Sequence, residues 1–302
     1  MAESTWFEGF ETRQVPVADG IELFARTGGR HDAPPLLLLH GYPETHALWQ
    51  RIARRLADRF CLVVPDLRGY GASSKPAGAP DHANYSKRAM ATDVLALMRG
   101  LGHERFFVAG HDRGGRVAHR LALDHPDAVL KLSVIDIVPT LTMYERTDMA
   151  FASAYYHWFY LIQPQPLPEK QIGADPGWYL RWTLSGWGSK SLDYIEPQAL
   201  ADYERGFCNT AGIHAACEDY RAAASIDLEH DRASRAAQQR VQCPLQVLWG
   251  ERGVVARLFD PLADWRAACD GPVSGRALAA GHFIPEELPE QTAQQLADFF
   301  LS

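Results

Sequence analysis

Cysteine is scarce and scattered. The five residues Cys61, Cys208, Cys217, Cys243 and Cys269 are odd in number and form no closely spaced pair. That excludes a disulfide framework and a paired-thiolate metal site, and it favours a reducing, cytoplasmic setting. Each reads as a small buried hydrophobe. No apolar run is long enough to span a membrane. The start, Met1 to Phe10, is acidic and aromatic and lacks the basic residues and apolar stretch of a signal peptide. No Lys/Arg run is present, and the net charge is -7, so neither nucleic acid nor a membrane surface is an expected partner. Internal repeats and low-complexity tracts are also missing. What remains is ordinary globular composition, 47% apolar and 22% charged, in 302 residues.

The first half alternates between short apolar runs and segments of helical period. Leu36 to Leu39 ends at His40-Gly41. Cys61 to Val64 ends at Pro65-Asp66. Arg105 to Ala109 ends at Gly110-His111-Asp112, and Leu132 to Ile135 ends at Asp136. Lys87 to Leu101 and Arg116 to Leu123 have helical spacing. This alternation predicts an α/β fold with a mostly parallel sheet flanked by helices. Ligands of such sheets bind beyond the carboxyl ends of the strands, where His40, Asp66, Asp112 and Asp136 fall. Asp66 and Arg68 read as a turn-locking pair. After Pro139 the chain becomes aromatic and irregular, with a Pro-rich stretch from Gln163 to Pro168. Strand-like runs resume at Leu245 to Trp249 and at Gly275 to Ala279. The expected organisation is a core made of 1–138 and 227–302, interrupted by a helical cap at 139–226.

Gly110-His111-Asp112-Arg113-Gly114 follows a strand and opens a helix. It has the form of a nucleophile turn with aspartate at its apex. The glycines permit the sharp bend, and the helix N-terminus supplies N–H groups and positive dipole. A helix N-cap is the simpler role for such an aspartate. Against it stand three further features in order: His40-Gly41-Tyr42-Pro43, Asp66 to Ser73, and the late Gly281-His282-Phe283. With these the chain resembles, over nearly its whole length, the α/β-hydrolase family that includes epoxide hydrolases and haloalkane dehalogenases.

A carboxylate nucleophile suits displacement at saturated carbon, because its attack on an acyl carbon would give an anhydride. Displacement leaves an alkyl ester on Asp112, which His282-activated water then hydrolyses. By family analogy the oxyanion rests on the backbone N–H groups of Tyr42 and Arg113. The histidine needs an acidic partner. Asp136, which ends an apolar strand cleanly, is favoured over Glu251, which lies among glycine and arginine.

Arg113 and Arg116 lie three apart on one helical face and can border one pocket. Two guanidiniums suit a small carboxylate. Here the resemblance narrows to fluoroacetate (haloacetate) dehalogenases, carried by Gly110 to Arg116, Asp124-His125-Pro126, Tyr156-His157-Trp158, Cys217 to Arg221 and Gly281-His282-Phe283. One departure is the second glycine, Gly115. The resemblance implies a halide pocket of His157, Trp158 and Tyr220, all hydrogen-bond donors, and a homodimer. Trp187 is a candidate for the mouth of the site. The expected activity is hydrolysis of short 2-haloacids to 2-hydroxy acids, with a small anionic substrate and no cofactor or metal. Epoxide hydrolysis, with Tyr156 and Tyr220 as acids, is the second reading. A non-catalytic ligand-binding member of the fold is the third.

Overall fold

The computed structural model describes residues 6–187 and 190–302. Eight strands form one sheet in the order β1-β2-β4-β3-β5-β6-β7-β8. They are β1 (Glu11–Ala18), β2 (Ile21–Gly29), β3 (Pro35–Leu39), β4 (Cys61–Pro65), β5 (Phe106–His111), β6 (Val129–Ile135), β7 (Leu245–Gly250) and β8 (Val273–Leu278). From β4 to β8 every neighbour is parallel, while β1 pairs antiparallel with β2 and β2 with β4. This is the α/β architecture expected from the alternating runs. The antiparallel β1–β2 hairpin extends the sheet beyond those runs. Its strands meet at a two-residue Asp19-Gly20 turn, with Gly20 at φ +69°, a conformation that favours glycine.

The strand sequences show why the sheet is covered on both sides. In β3, Leu37 and Leu39 join one apolar cluster while Leu36 and Leu38 join the other. Side chains alternate along a strand, so four consecutive leucines feed two separate cores. The helices Lys87–Gly100 and Asp112–Asp124 pack in the first cluster. The helices Gln50–Leu56 and Pro289–Leu301 pack in the second.

Between β6 and β7 the chain is helical, from Thr140–Glu145 to Ile226–Ala236. The last of these helices crosses the boundary expected at 227. It ties to the helix Asp112–Asp124 through Arg120 Nη2 and Asp231 Oδ1 at 2.6 Å. Among the described residues no helix is long and apolar enough to cross a membrane.

Asp66 and Arg68 do not pair with each other. Asp66 accepts from the backbone N–H groups of His46 and Ala72 at 2.7 and 2.8 Å. Arg68 instead grips Asp93 with Nε and Nη2 at 2.7 and 2.6 Å. Each locks the turn after β4 to a different neighbour, because the two side chains leave the turn in different directions.

The turn after β5 is held by close backbone approach. A Cβ on Gly114 would lie 2.4 Å from the His40 carbonyl oxygen, and one on Gly110 2.5 Å from that of Gly114. A Cβ on Gly115 would meet the Gly110 oxygen and Ile137 Cδ1 at 2.8 Å. The second glycine therefore serves packing of the helix onto the strands. Gly114→Ala should destabilise the protein by ~3 kcal/mol, the upper end of the overpacking range, since the obstacle is backbone. Gly177→Ala, where a Cβ would meet nothing within 4 Å, should change stability by less than ~1 kcal/mol. Urea unfolding of the two variants measures the contrast.

Candidate active site

The carboxyl ends of β3, β5, β6 and β7 and the loop after β8 converge on one buried cluster. β5 delivers Asp112 at the head of the helix Asp112–Asp124, with φ +43°. That strained conformation turns the side chain out over the sheet. Tyr42, just past β3, donates its backbone N–H to Asp112 Oδ2 at 3.1 Å. Arg113 N–H belongs to the first helical turn, whose amides have no partner within the helix. A Cβ on Gly41 would lie 2.6 Å from Asp112 Cβ, so the loop after β3 can pass Asp112 only as glycine.

His282 Nδ1 lies 2.7 Å from Asp136 Oδ2. Asp136 Oδ1 accepts the Gly250 N–H at 2.9 Å, and the residue sits at φ +52°. With Nδ1–H directed at the carboxylate, Nε2 of His282 is the nitrogen left to act as a base. The alternative acid, Glu251, is exposed at the end of β7. His282 N–H bonds to Trp187 O at 2.8 Å, so the cap segment holds the histidine loop. The Trp187 ring lies 4.1 Å from His157 and stands perpendicular to His282 at 5.9 Å. Tyr155, which motif reading passed over, brings its hydroxyl to 3.5 Å from His282 Nδ1.

Burial alone would raise the Asp112 pKa. The nearby charges of His282, Arg116, Arg113 and His111 outweigh it and hold the carboxyl below its ordinary value. His111 and its partner Glu44 were not foreseen. Both ring nitrogens of His111 face acceptors: Nδ1 meets Glu44 Oε2 at 3.0 Å and Nε2 meets the His282 carbonyl at 2.9 Å. Both must therefore donate, which makes the ring an imidazolium. Burial pulls its pKa down, but the Glu44 and Asp112 carboxylates prevail and push it up to about 9.

The two arginines flank this carboxylate unequally. Arg113 is wholly buried and already engaged: Nε and Nη2 contact Asp219 Oδ2 and Oδ1 at 2.9 and 2.7 Å, and Nη2 also reaches the Asp219 carbonyl at 2.9 Å. Only Nη1 has no partner. Arg116 Nη1 donates to Val138 O at 3.2 Å and Thr140 Oγ1 at 3.0 Å, and Nη2 lies 3.2 Å from Met143 Sδ. Its Nε is unpartnered. Burial lowers the Arg116 pKa, partly countered by Asp112.

The aromatic residues complete the walls. The Arg113 guanidinium lies 4.2 Å from the Tyr220 ring centroid and that of Arg116 4.8 Å from Trp158. His157 stacks parallel to Tyr42 at 6.0 Å and meets Tyr220 edge-on at 5.4 Å. The Tyr220 hydroxyl and His157 Nδ1 are buried without a partner. Burial drives the His157 pKa well below its ordinary value, so this imidazole is neutral and carries one N–H. Tyr156, in contrast, is on the outside and 38% exposed. The structure thus gathers Asp112, His282, Asp136, Arg113, Arg116, His157, Trp158, Tyr220, Tyr42 and Trp187 at one place. Among the described residues no group of His, Cys, Asp and Glu could hold a metal ion.

Residues 34–289 match the family model for the alpha/beta hydrolase fold. A fluoroacetate dehalogenase from Burkholderia sp. is 48% identical over 97% of this chain and 94% of its own. A soluble epoxide hydrolase from Corynebacterium sp. (strain C12) is 30% identical, covering 88% of this chain and 90% of its own. A solved structure of an alpha/beta hydrolase from Nostoc sp. PCC 7120 superposes with a TM-score of 0.94 at 53% identity, covering 97% of this chain and 99% of the other. The chain belongs to the alpha/beta hydrolase family, in the group that contains the Burkholderia fluoroacetate dehalogenase.

Proposed function

We propose that this hydrolase removes halide from short 2-haloacids of the fluoroacetate type through an ester on Asp112. The observation that carries the reading is a set of buried donors without protein partners beside an ionised carboxylate: Arg113 Nη1, Arg116 Nε and the Tyr220 hydroxyl. A small carboxylate bound by the two guanidiniums satisfies the first two. A departing halide satisfies the third, together with the N–H groups of His157 and Trp158. The 48% identity to a fluoroacetate dehalogenase supports the same substrate class.

An Asp112 oxygen attacks the halogen-bearing carbon, a carbon–oxygen bond forms, and the carbon–halogen bond breaks with its electron pair. The halide departs toward Tyr220, His157 and Trp158. His282 Nε2 then takes a proton from water, whose oxygen adds to the Asp112 carbonyl carbon. Asp136 steadies the resulting imidazolium. The tetrahedral oxyanion is held by Tyr42 N–H and by Arg113 N–H, the first of which already contacts Asp112 Oδ2. Collapse breaks the ester bond: the leaving alkoxide takes the proton from His282, the remaining hydroxyl proton passes to solvent, and the Asp112 carboxylate and the 2-hydroxy acid result.

Epoxide hydrolysis has one feature in its favour beside the 30% identical epoxide hydrolase. The Tyr220 hydroxyl is buried and free, and it could protonate a ring oxygen. A neutral epoxide would, however, leave the unpartnered guanidinium donors unsatisfied.

Halide release from fluoroacetate, chloroacetate and 2-chloropropionate is expected with wild type and should fall by at least ~10³-fold in Asp112→Ala. Turnover of an aryl epoxide without any haloacid turnover would overturn the assignment. In heavy-oxygen water a single turnover should yield unlabelled product and label in Asp112, because the product oxygen comes from the carboxylate. Label in the first product would exclude the ester. The displacement step also has a predictable pH limb. The reactive form is the ionised carboxylate, present above the Asp112 pKa and lost as pH falls through it. Since that pKa is depressed, the single-turnover rate of halide release should hold down past the ordinary carboxylate value of ~4 before falling.

A further inference from the structure

Arg113 is already engaged by the protein itself. Asp219 takes its Nε and Nη2 through three contacts. Asp219 in turn is ion-paired with Lys87 Nζ and accepts the Tyr70 hydroxyl at 2.6 Å. Lys87 Nζ lies 3.5 Å from Asp227 Oδ2, and its backbone N–H donates to Asp227 Oδ1 at 2.8 Å. The Arg113 and Asp219 side chains are 0% exposed, and those of Lys87 and Asp227 are 5% exposed. The network joins four separate elements: the helix Asp112–Asp124, the helix Thr210–Ala224, the head of the helix Lys87–Gly100 and the helix Ile226–Ala236.

Two cations and two anions alternate here, so the chain of charges is neutral as a whole. Its orientation is specific. A guanidinium presents its donors as a rigid fork. With Nε and Nη2 turned to Asp219, only Nη1 can face the pocket. The Arg113 charge also acts on Asp112 and Asp227. Asp227 is held by Lys87. Without Asp219 the fork is free to turn toward Asp112, its neighbour at the head of the same helix. A bidentate pair there would occupy the lone pairs that must attack carbon.

We propose that Asp219 is a positioning residue that holds Arg113 off Asp112, so that Arg113 offers the substrate one fixed donor and leaves the nucleophile free. The proposal rests on the haloacid reading and adds to it a reason for the buried Arg113–Asp219–Lys87–Asp227 chain. It makes a directional prediction. Loss of Asp219 weakens chemistry more than binding, because the freed guanidinium still attracts a carboxylate while it masks Asp112.

The test is single-turnover chloride release from chloroacetate with enzyme in excess, which reads the displacement rate regardless of the active fraction. Wild type, Asp219→Asn, Asp219→Glu and Lys87→Met are compared, with steady-state kcat and KM alongside. Asp219→Asn should slow displacement at least ~30-fold with KM unchanged or lowered, and Asp219→Glu should recover part of the rate. Lys87→Met leaves the Asp219–Arg113 contact in place and should slow displacement less than ~5-fold. If Asp219→Asn does not fold, Lys87→Met and Asp219→Glu still decide the matter, since a rate loss in both as large as that of Asp112→Ala would overturn the proposal. So would a wild-type rate in Asp219→Asn, or a raised KM with unchanged rate. A wild type that releases no halide fails differently: it removes the haloacid reading, and the role assigned to Asp219 falls with it.

Discussion

A carboxylate has to stay ionised while buried, and the polar side chains around Asp112 are arranged to that end. The cost of dehydrating Asp112 is several kcal/mol if uncompensated. The compensation is distributed over His282, Arg116, Arg113 and His111, none of which takes Asp112 in a close pair. Each of these groups has a carboxylate or carbonyl of its own: His282 has Asp136, His111 has Glu44, Arg113 has Asp219, and Arg116 has the Val138 carbonyl. The field keeps Asp112 charged, while the hydrogen bonds that would quench it are directed elsewhere. A nucleophile needs this combination, since a carboxylate locked in a bidentate salt bridge is ionised but occupied.

The sheet supplies the rigidity. Asp112 and Asp136 stand at the ends of adjacent parallel strands, β5 and β6, and both have positive φ. Such conformations cost ~1–3 kcal/mol each and persist only where the surroundings dictate them. Here the surroundings are backbone. His40 O and Leu39 O crowd Gly114, and Gly250 N–H fixes Asp136. The apolar halves of the same strands fill two cores, so the strained ends are carried on the best-packed part of the protein.

Much of this was legible in the sequence, for local reasons. The strand ends announce themselves as apolar runs stopping at Asp or His. The turn announces itself by glycines whose spacing the close approaches require. Long-range partners left no such trace. Asp219 stands in a quoted motif, yet its contact with Arg113 spans 106 positions and has no periodic signal. Glu44 follows the loop of β3 and reaches His111 across 67 positions. Proximity in sequence misled in the opposite sense for Asp66 and Arg68, which are two residues apart and bind different partners. The β1–β2 hairpin was missed for a milder reason. β1 is largely exposed, so it lacks the apolar run that marked the other strands.

The pattern of satisfied and unsatisfied donors bears on specificity more than the nucleophile does. A buried donor left without a partner costs ~1–3 kcal/mol. Arg113 Nη1, Arg116 Nε and the Tyr220 hydroxyl have no protein partner. A ligand that meets all three avoids that cost, and a ligand that meets one does not. Discrimination then comes from what a poor ligand leaves unpaired, and sites built on this basis reject the mismatched partner by ~10⁴-fold or more. An epoxide presents a single weak acceptor to Tyr220 and nothing to two guanidiniums. A haloacid presents two carboxylate oxygens and a leaving group that becomes a strong acceptor as it departs. The same fold and the same Asp–His–Asp arrangement could serve either reaction. On the proposed reading the choice between them lies in the arginines, and so in the contacts that determine which of their nitrogens face the pocket.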